Sequence, residues 1–338
     1  MGTWSEESIG DLSGKRAIVT GANSGVGYYT AKVLAQHGAD VVMACRDQER
    51  SKKPFDEICE VSTGTVVLRQ LDLADLDSVS EFADGCRTDF TSLDYLVNNA
   101  GIMGGPQRTT AQGFELQMGT NHLGHFALTN RLWPLLAATD SARVVSLSSL
   151  AARDGRLSPA MTRETLVDPS PYSTFKVYSN TKQATLLFAQ ELHRRSQKAG
   201  SGVASLAAHP GVSSTGLFNR QLRERHLGAL VPIVGTLGRI TLASPRASAN
   251  PSIRAVTDST IGSGEFVGPS QLGQFRGKPE VIKVFREGSD PATAARLWDL
   301  SEEITGQPFT PCPFPQGSRC CGGFCVGGGG VVDHGILG

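Results

Sequence analysis

Short apolar runs rich in β-branched residues alternate with helical patterns along most of this chain. The run RAIVT at 16–20 leads through a glycine-rich turn into YYTAKVLAQHG at 28–38, and DVVMAC at 40–45 begins the next unit. Further strand-like runs lie at 65–73, 93–101, 142–149 and 202–211. Continuous apolar strands separated by helices are typical of a parallel sheet that is covered on both faces. The pattern predicts an α/β fold built on a doubly wound parallel sheet.

The length of 338 residues leaves the number of domains open, but the repeating strand–helix units favour one large domain. We predict an N-terminal extension at 1–11, a single domain with a Rossmann fold at 12–309 and a tail at 310–338. The tail is rich in Gly, Cys and Pro and has too few apolar residues to bury a core, so we expect it to be disordered. Its four cysteines and His334 leave a metal site as the alternative, although the spacing C-x7-C-C-x3-C lacks the C-x2-C pairs of common zinc sites.

The charge balance limits the kinds of partner. The chain has 32 basic and 32 acidic side chains, so no net charge attracts a nucleic acid or an anionic membrane. No apolar stretch approaches the roughly 20 residues of a transmembrane helix, and the N-terminus has no signal-peptide pattern. We therefore expect a cytoplasmic protein whose partner is a small molecule and not a nucleic acid. A homodimer and a shallow membrane contact are compatible with the same features.

The turn after the first strand has the sequence TGANSGVG, which places Gly21, Gly25 and Gly27 just before a helix. Glycines at this point let backbone amides at the helix N-terminus face a pyrophosphate without interference from a Cβ atom. The alternative is a tight strand-to-helix turn without a ligand. The position of the loop in the first strand–helix unit favours a dinucleotide site.

The end of the second strand indicates which dinucleotide would bind. An NAD-dependent site usually has an acidic residue here to bind the ribose hydroxyls, whereas this chain has Cys45 followed by Arg46. A guanidinium suits the 2′-phosphate of NADP(H), so the sequence favours NADP(H) over NAD(H). Two alternatives stay open: Arg46 is a solvated loop residue, or Asp47 reaches a ribose.

The stretch SPYSTFKVYSNTK at 170–182 contains the spacing Tyr-x-x-x-Lys twice. Prolines flank the first pair, so we expect Tyr172 to lie in an extended or turning segment where Lys176 has no reason to share its face. Apolar residues continue at helical spacing after Lys182, and this predicts a helix with Tyr178 and Lys182 four apart on one face. The second pair is therefore the predicted chemical pair.

Together these motifs resemble the short-chain dehydrogenase/reductase family, which has TGxxxGxG after the first strand, a serine after the fifth strand and Tyr-x-x-x-Lys on the following helix. Asn180 departs from the small residue that the family usually has at that position. The resemblance implies an enzyme that transfers a hydride between a nicotinamide and a carbonyl or alcohol. The implied catalytic residues are Asn121, Ser149, Tyr178 and Lys182. The implied cofactor-binding residues are Gly21, Asn23, Ser24, Gly25, Val26, Gly27, Arg46, Asp72, Leu73, Asn99, Ala100, Gly101, Tyr178, Lys182, Pro210, Gly211 and Thr215.

The same resemblance implies a role for each catalytic residue. Lys182 also holds the nicotinamide ribose, Ser149 hydrogen-bonds the substrate oxygen, and Asn121 supports a water path for the proton. The choice of Ser149 over Ser148 follows from the second serine of the family pattern. Thr215 would contact the nicotinamide end of the cofactor, with a helix N-cap as the alternative.

The pairing of tyrosine with lysine has a chemical reason. Hydride addition to a carbonyl builds negative charge on oxygen, and tyrosine is a weak acid with a pKa of about 10. A cation about 5 Å away, at an effective dielectric constant of about 20, favours the phenolate by about 3 kcal/mol, or about two pKa units. We therefore expect Lys182 to lower the pKa of Tyr178 toward neutral pH and Tyr178 to act as general acid and base.

Within the family, the longer insert before Tyr178 and the phrases NHLGHFALTN and LLFAQELHRR resemble the retinol-dehydrogenase-like branch. That branch includes relatives of protochlorophyllide reductase and of WW-domain oxidoreductases. The resemblance implies a lipophilic carbonyl or alcohol substrate that is retinoid-, steroid- or aldehyde-like. The apolar segment 227–238 has three interpretations: a lid over such a substrate, a shallow membrane contact, or a helix that covers the core.

Two further hypotheses stay open on the sequence. A protein that binds NADP(H) without turnover, as a sensor or scaffold, is the alternative function, although the intact Tyr178 and Lys182 argue against it. His122 and His125 have H-x-x-H spacing, but neither an acidic residue nor a cysteine accompanies them, so we predict no metal site. His209 precedes a proline at the end of the sixth strand, and we expect it to be structural.

Overall fold

The computed structural model describes residues 4–211 and 243–311 of the chain. The strands within them are β1 (Arg16–Thr20), β2 (Asp40–Cys45), β3 (Val66–Gln70), β4 (Tyr95–Asn98), β5 (Arg143–Leu147), β6 (Ala204–Ala208), β7 (Phe266–Gln271) and β8 (Arg276–Ile282). The helices are α1 (Gly25–Gln36), α2 (Gln48–Cys59), α3 (Leu76–Asp89), α4 (Leu116–Met118), α5 (Gly124–Ala137), α6 (Arg163–Val167), α7 (Thr174–Lys198), α8 (Pro245–Thr257) and α9 (Pro291–Thr305). A π-helical turn at Gly119–Leu123 joins α4 to α5.

The strands form one sheet in the order β3-β2-β1-β4-β5-β6-β7-β8. Neighbours from β3 through β7 are parallel, and β8 pairs antiparallel with β7 at the edge. The chain runs from β1 outward to β3 and then returns to β4 on the other side of β1, which is the doubly wound arrangement. The predicted fold class is confirmed. Strands β7 and β8 are an addition that the apolar pattern did not predict.

Both faces of the sheet are buried. Successive residues of a strand point to opposite faces, so Val19 packs with Leu34 of α1 and Ile253 of α8 on one side. Ile18 packs on the other side in a cluster that includes Phe126 of α5. Because each face is covered by helices, the central strands need no polar alternation. This is the physical basis of the continuous apolar runs in the sequence.

An aromatic cluster fixes α7 against its neighbours. The ring of Trp298 on α9 meets Phe126 edge-to-face at 5.0 Å and stacks on Phe188 of α7 at 5.6 Å. Aromatic pairs of this geometry add to the free energy gained from burying their area. Helix α7 is thus held by its apolar face, which leaves its N-terminal turns to position polar side chains.

The insert between β5 and α7 is clamped onto α7 by two side chains of that helix. Gln183 accepts a hydrogen bond from the Leu157 amide at 2.7 Å and donates to the Leu157 carbonyl at 3.0 Å. Asn180 accepts from the amide of Arg156 at 2.8 Å. Asn180, which departs from the family pattern, therefore helps to hold the insert against α7.

Membrane-spanning segments were sought in the same residues. None of the helices within 4–211 and 243–311 is long and apolar enough to cross a bilayer. The segment 227–238 and residues 312–338 of the cysteine-rich tail, for which the sequence left several interpretations, lie outside the described residues.

Candidate active site

The loops at the carboxyl ends of β1 and β4 meet at the point where the strand order reverses, which is where ligands bind in doubly wound sheets. The Thr20 hydroxyl accepts hydrogen bonds from the amides of Asn99 and Ala100, each at 2.9 Å. The side-chain amide of Asn99 donates to the Thr20 carbonyl at 2.7 Å. The glycine loop at 21–27 and the loop after β4, which has the sequence NNAG at 98–101 and is called the NNAG loop below, are thus joined directly.

The glycines of the first loop are required by its shape. Gly21 and Gly25 have φ angles of 65° and 58°, which L side chains rarely adopt. A Cβ atom on Gly27 would lie 2.3 Å from Nδ2 of Asn99 and 2.5 Å from the carbonyl oxygen of Gly21. Helix α1 therefore starts in direct contact with the neighbouring loops. Its glycines present backbone atoms, and no side chains, to the crevice.

The N-terminus of α1 fits a phosphate group. Ser24 is the N-cap residue, but its side chain makes no capping hydrogen bond to the helix. The backbone amides of the first turn, among them those of Val26 and Gly27, are therefore not hydrogen-bonded by the Ser24 side chain and can bind an anion. Asn23 lies in the same loop. These residues fit the pyrophosphate of a dinucleotide.

The predicted contacts for the adenosine end lie after β2 and β3. Arg46 is exposed directly after β2. Asp47 is the N-cap residue of α2, and its Oδ1 accepts from the Arg50 amide at 3.0 Å. Its carboxylate thus has a structural partner, which weakens the alternative that Asp47 serves a ribose. Asp72 is half-buried, with Oδ1 accepting a backbone amide at 2.9 Å, and Leu73 is buried beside it.

Asn121 lies in the π-helical turn, and both polar atoms of its side chain make hydrogen bonds. Its Nδ2 donates to the Ile102 carbonyl at 2.9 Å and to the Thr181 hydroxyl at 3.0 Å, while Oδ1 accepts from the Ile102 amide at 2.8 Å. A Cβ atom on Gly101 would lie 3.4 Å from Asn121 Oδ1 and 3.4 Å from Lys182 Nζ. Asn121 therefore ties the loop after β4 to helix α7, next to Lys182.

The two serines after β5 have different surroundings. Ser148 is buried, and its hydroxyl donates to the backbone carbonyl of Lys182 at 2.7 Å. Ser149 is half-buried, accepts from the Ala151 amide at 3.2 Å and is hydrogen-bonded to the side chain of Tyr178. Ser148 thus anchors α7, and Ser149 is the serine that meets the tyrosine.

Tyr178 and Lys182 lie together on α7, as their spacing predicts. Lys182 is buried, its Nζ donates to the Leu147 carbonyl at 2.9 Å, and Nζ lies 5.9 Å from the centre of the Tyr178 ring. Four predicted catalytic side chains, Asn121, Ser149, Tyr178 and Lys182, are therefore brought to one place from three parts of the chain.

The electrostatics of this pair differ from the sequence-based expectation. Burial raises the pKa of Tyr178 above its ordinary value of 10.0, and the hydrogen bond with Ser149 opposes this only in part. Burial also lowers the pKa of Lys182 from 10.5 to about 8. The direction for the protein alone is therefore opposite to the expected lowering of the Tyr178 pKa toward neutrality, because loss of solvent disfavours the charged phenolate.

The depressed pKa of Lys182 predicts a pH-dependent stability. Between pH 8 and 10.5 the unfolded chain holds a proton that the folded chain has lost, so the free energy of unfolding rises with pH through that window. Lys182→Met lacks this titration. Urea unfolding of both proteins at pH 7 and pH 10 should show wild type gaining about 2 kcal/mol on the variant, since one pKa unit corresponds to about 1.4 kcal/mol. An equal difference at both pH values would contradict the assignment.

Tyr172 precedes α7 and belongs to a different cluster. Its hydroxyl accepts from Nε2 of Gln117 at 3.2 Å and donates to Oε1 of Glu115 at 3.3 Å. Burial raises the pKa of the Glu115 carboxyl. Lys176, the other member of the first Tyr-x-x-x-Lys pair, is exposed. The two pairs are thus separated in the way that the proline-flanked segment predicts.

The remaining predicted residues follow β6. Pro210 and Gly211 lie directly after this strand, and Gly211 has a φ angle of 74°. His209 is fully buried against the rings of Phe266 and Phe285, and burial lowers its pKa to about 4. These contacts agree with a structural role for His209. Thr215 lies outside the described residues.

The two histidines of the H-x-x-H spacing, His122 and His125, contact different hydroxyl groups. His122 Nε2 is 2.9 Å from the Ser301 hydroxyl, and His125 Nε2 is 2.9 Å from the Thr20 hydroxyl. Within residues 4–211 and 243–311, no group of three His, Cys, Asp or Glu side chains could hold a metal ion. Sequence reasoning missed Thr20 and Thr181 as members of the site, and a threonine ending an apolar strand was the only signal available for the first of them.

Comparison with known proteins identifies the family of this chain. Residues 15–161 match the short chain dehydrogenase family. Human retinol dehydrogenase 11 is 36% identical over 300 residues, covering 88% of each protein. Bovine dehydrogenase/reductase SDR family member 13 is 36% identical over 299 residues, covering 88% of this chain and 75% of the relative.

A solved structure supports the same assignment. The crystal structure of an uncharacterized protein from Mycobacterium Paratuberculosis has 36% identity and a TM-score of 0.74, covering 91% of this chain and all of that one. The family match at 15–161 includes the glycine loop and strands β1 to β5, and the relatives and the solved structure extend the similarity to most of the chain. The chain therefore belongs to the short-chain dehydrogenase/reductase family of oxidoreductases, within which it is retinol-dehydrogenase-like.

Proposed function

We propose that this protein is an NADP(H)-dependent oxidoreductase that interconverts a carbonyl and an alcohol on a lipophilic small molecule, with Tyr178 as general acid and base. The observation that carries the proposal is the grouping of Ser149, Tyr178 and Lys182, with the Ser149 hydroxyl bonded to the phenol and Lys182 one helical turn along. This grouping lies beside the glycine loop and the NNAG loop, where a dinucleotide fits.

The residues of the chain handle the proton, while a bound nicotinamide supplies or accepts the hydride. In reduction, the Tyr178 phenol donates its proton to the substrate oxygen as negative charge builds there. The Ser149 hydroxyl hydrogen-bonds the same oxygen and holds it against the phenol. The Lys182 ammonium stabilises the phenolate that is left, and its bond to the Leu147 carbonyl keeps it in place.

The proposed preference for NADP(H) rests on Arg46. This side chain is exposed just after β2, and Asp47, the nearest acidic residue in sequence, has one carboxylate oxygen committed to capping α2. A guanidinium favours a phosphate over ribose hydroxyls, because it can bind phosphate oxygens in a bidentate manner.

A charge-removing variant tests the cofactor preference. We expect Arg46→Ser to raise the KM for NADPH about 10- to 100-fold, the loss of one charge-assisted bidentate contact, and to change the KM for NADH little. Lys53→Ser is the control, since Lys53 is an exposed cation on the adjacent helix α2. Equal KM values for NADPH in the Arg46 variant and wild type would refute the role of Arg46.

The substrate class is proposed from the relatives, several of which are named retinol dehydrogenases. NADPH oxidation should be followed with retinoid, steroid, quinone and small aldehyde substrates. Highest kcat/KM on a lipophilic carbonyl supports the proposal. Tight NADPH binding without turnover on any member of the panel would instead favour a sensor or scaffold.

A further inference from the structure

His125 is a buried residue whose two ring nitrogens both have partners. It is 4% exposed, and Nδ1 lies 3.1 Å from the backbone carbonyl oxygen of Asn121. Nε2 lies 2.9 Å from the hydroxyl oxygen of Thr20. The imidazole therefore bridges the end of β1, where the glycine loop begins, and the π-helical turn that holds Asn121.

The hydrogen bonds around Thr20 fix the position of the proton on this ring. The Thr20 hydroxyl oxygen accepts from the amides of Asn99 and Ala100, which occupies both of its lone pairs. Its single proton can then go to Val97 O at 3.3 Å or to Nε2 of His125 at 2.9 Å. A protonated Nε2 would face an oxygen with no lone pair left. Nε2 therefore has no proton, and Nδ1 carries the single proton of the neutral ring.

A proton on Nδ1 also satisfies the second contact. The Asn121 carbonyl can only accept, so a bare Nδ1 would set two lone pairs against each other at 3.1 Å. Burial lowers the pKa of His125 to about 4, which agrees with a ring that has one proton at neutral pH. Every donor and acceptor of the bridge is matched by this single tautomer.

We propose that His125 is a positioning residue for the reaction. Protonated on Nδ1, it couples the glycine loop and the NNAG loop to Asn121 and so sets the placement of helix α7, which carries Tyr178 and Lys182. This inference rests on the proposed function. The route continues from Asn121 Nδ2 to the Thr181 hydroxyl at 3.0 Å, and from that hydroxyl to the Tyr178 carbonyl at 2.8 Å.

A small cavity lies beside the bridge. Its lining includes Asn98, Asn121, His125 and Ser146. Asn98 Oδ1 and Ser146 Oγ are buried there without a hydrogen-bond partner among the described residues. Beside these unpartnered groups, the His125 ring adds a side-chain contact to the Asn121 carbonyl and so ties this backbone to Thr20.

Three substitutions separate the two ends of the bridge. His125→Asn keeps an amide donor near the position of Nδ1, His125→Gln keeps a polar group near the position of Nε2, and His125→Leu keeps neither. We expect kcat to fall about tenfold or more for the Gln and Leu variants and less than about threefold for the Asn variant, where tenfold corresponds to about 1.4 kcal/mol. The dissociation constant for NADPH should change less than kcat in the Gln variant, because the Thr20 contact is kept.

His122 supplies the matched control. It is buried in the same π-helical turn but is bonded to Ser301 of α9, away from the cofactor loops. His122→Gln and His122→Leu should lower the melting temperature while leaving kcat within about twofold of wild type. If the His125 variants lost kcat only in proportion to melting temperature, in the same way as the His122 variants, the positioning role would be overturned.

The tautomer can be measured without any substrate. In the full-length protein labelled with ¹⁵N-histidine, the His125 signals, assigned by their loss in His125→Leu, should show a proton on Nδ1 and none on Nε2. A proton on Nε2 overturns the proposal. Absence of turnover in wild type would count against the proposed function, whereas this spectrum tests the bridge independently of it.

Discussion

Tyr178→Phe should reduce kcat by about three orders of magnitude while leaving the dissociation constant for NADPH within about threefold of wild type. General acid–base catalysis by a positioned side chain typically contributes about 10²- to 10⁴-fold, and the phenol hydroxyl is the group that would exchange a proton with the substrate oxygen. The variant removes one oxygen atom and keeps the ring between α7 and the loop after β5. Stopped-flow NADPH oxidation and fluorescence titration of NADPH measure the two quantities.

Tyr172→Phe is the matched control for this prediction. It also removes one phenol oxygen, but that oxygen bonds Gln117 and Glu115 ahead of α7. We expect its kcat to stay within about threefold of wild type, because only contacts of about 1 kcal/mol are lost away from Lys182. Wild-type turnover in Tyr178→Phe, or a larger loss in Tyr172→Phe, would move the acid to the other tyrosine.

The sequence predicts the strands whose own residues form a recognisable apolar run. Strands β1, β2, β4, β5 and β6 are almost entirely buried and therefore appear in the sequence as apolar runs, and β3 is half-buried at the sheet edge but begins with the apolar run VVL at 66–68. Strands β7 and β8 contain Gly and Pro, which oppose strand formation in a sheet interior. Pro269 lies beyond the residue pairs that join β7 to β6, and Pro279 lies on the edge strand. Only the tertiary position makes these prolines tolerable, so no local pattern could reveal the two strands.

In the candidate site, contacts within one helix could also be predicted from the sequence, whereas contacts between distant parts of the chain could not. Tyr178 and Lys182 are four residues apart on one helix, so their grouping follows from helical geometry alone. Thr20 and His125 are 105 residues apart, and their contact exists only once β1 and α5 are packed. The direction of the Tyr178 pKa shift likewise depends on burial, which the spacing of the two residues does not reveal. Helical spacing thus identifies the pair, and the packing around it sets its protonation.

Gly27→Ala should destabilise the protein by about 2 kcal/mol or more and weaken NADPH binding by at least about tenfold. The added methyl group would lie 2.3 Å from Asn99 Nδ2 and 2.5 Å from the Gly21 carbonyl oxygen. Neither neighbour is free to move, because Asn99 Nδ2 is bonded to the Thr20 carbonyl and the Gly21 oxygen belongs to the backbone. Overpacking of this kind costs about 1–3 kcal/mol, and relief requires α1 to shift away from the phosphate site.

Gly85→Ala separates this clash from the general effect of replacing a helical glycine. Gly85 lies inside α3, and a Cβ atom there would meet Nη1 of Arg69 only at 3.7 Å, an ordinary contact. Alanine has the higher helix propensity, so this variant should gain about 0.5–1 kcal/mol and bind NADPH as wild type does. Urea unfolding and NADPH titration of both variants give the comparison. If Gly27→Ala were also stabilising, or bound NADPH normally, the contact between α1 and the NNAG loop would not be what shapes the cofactor site.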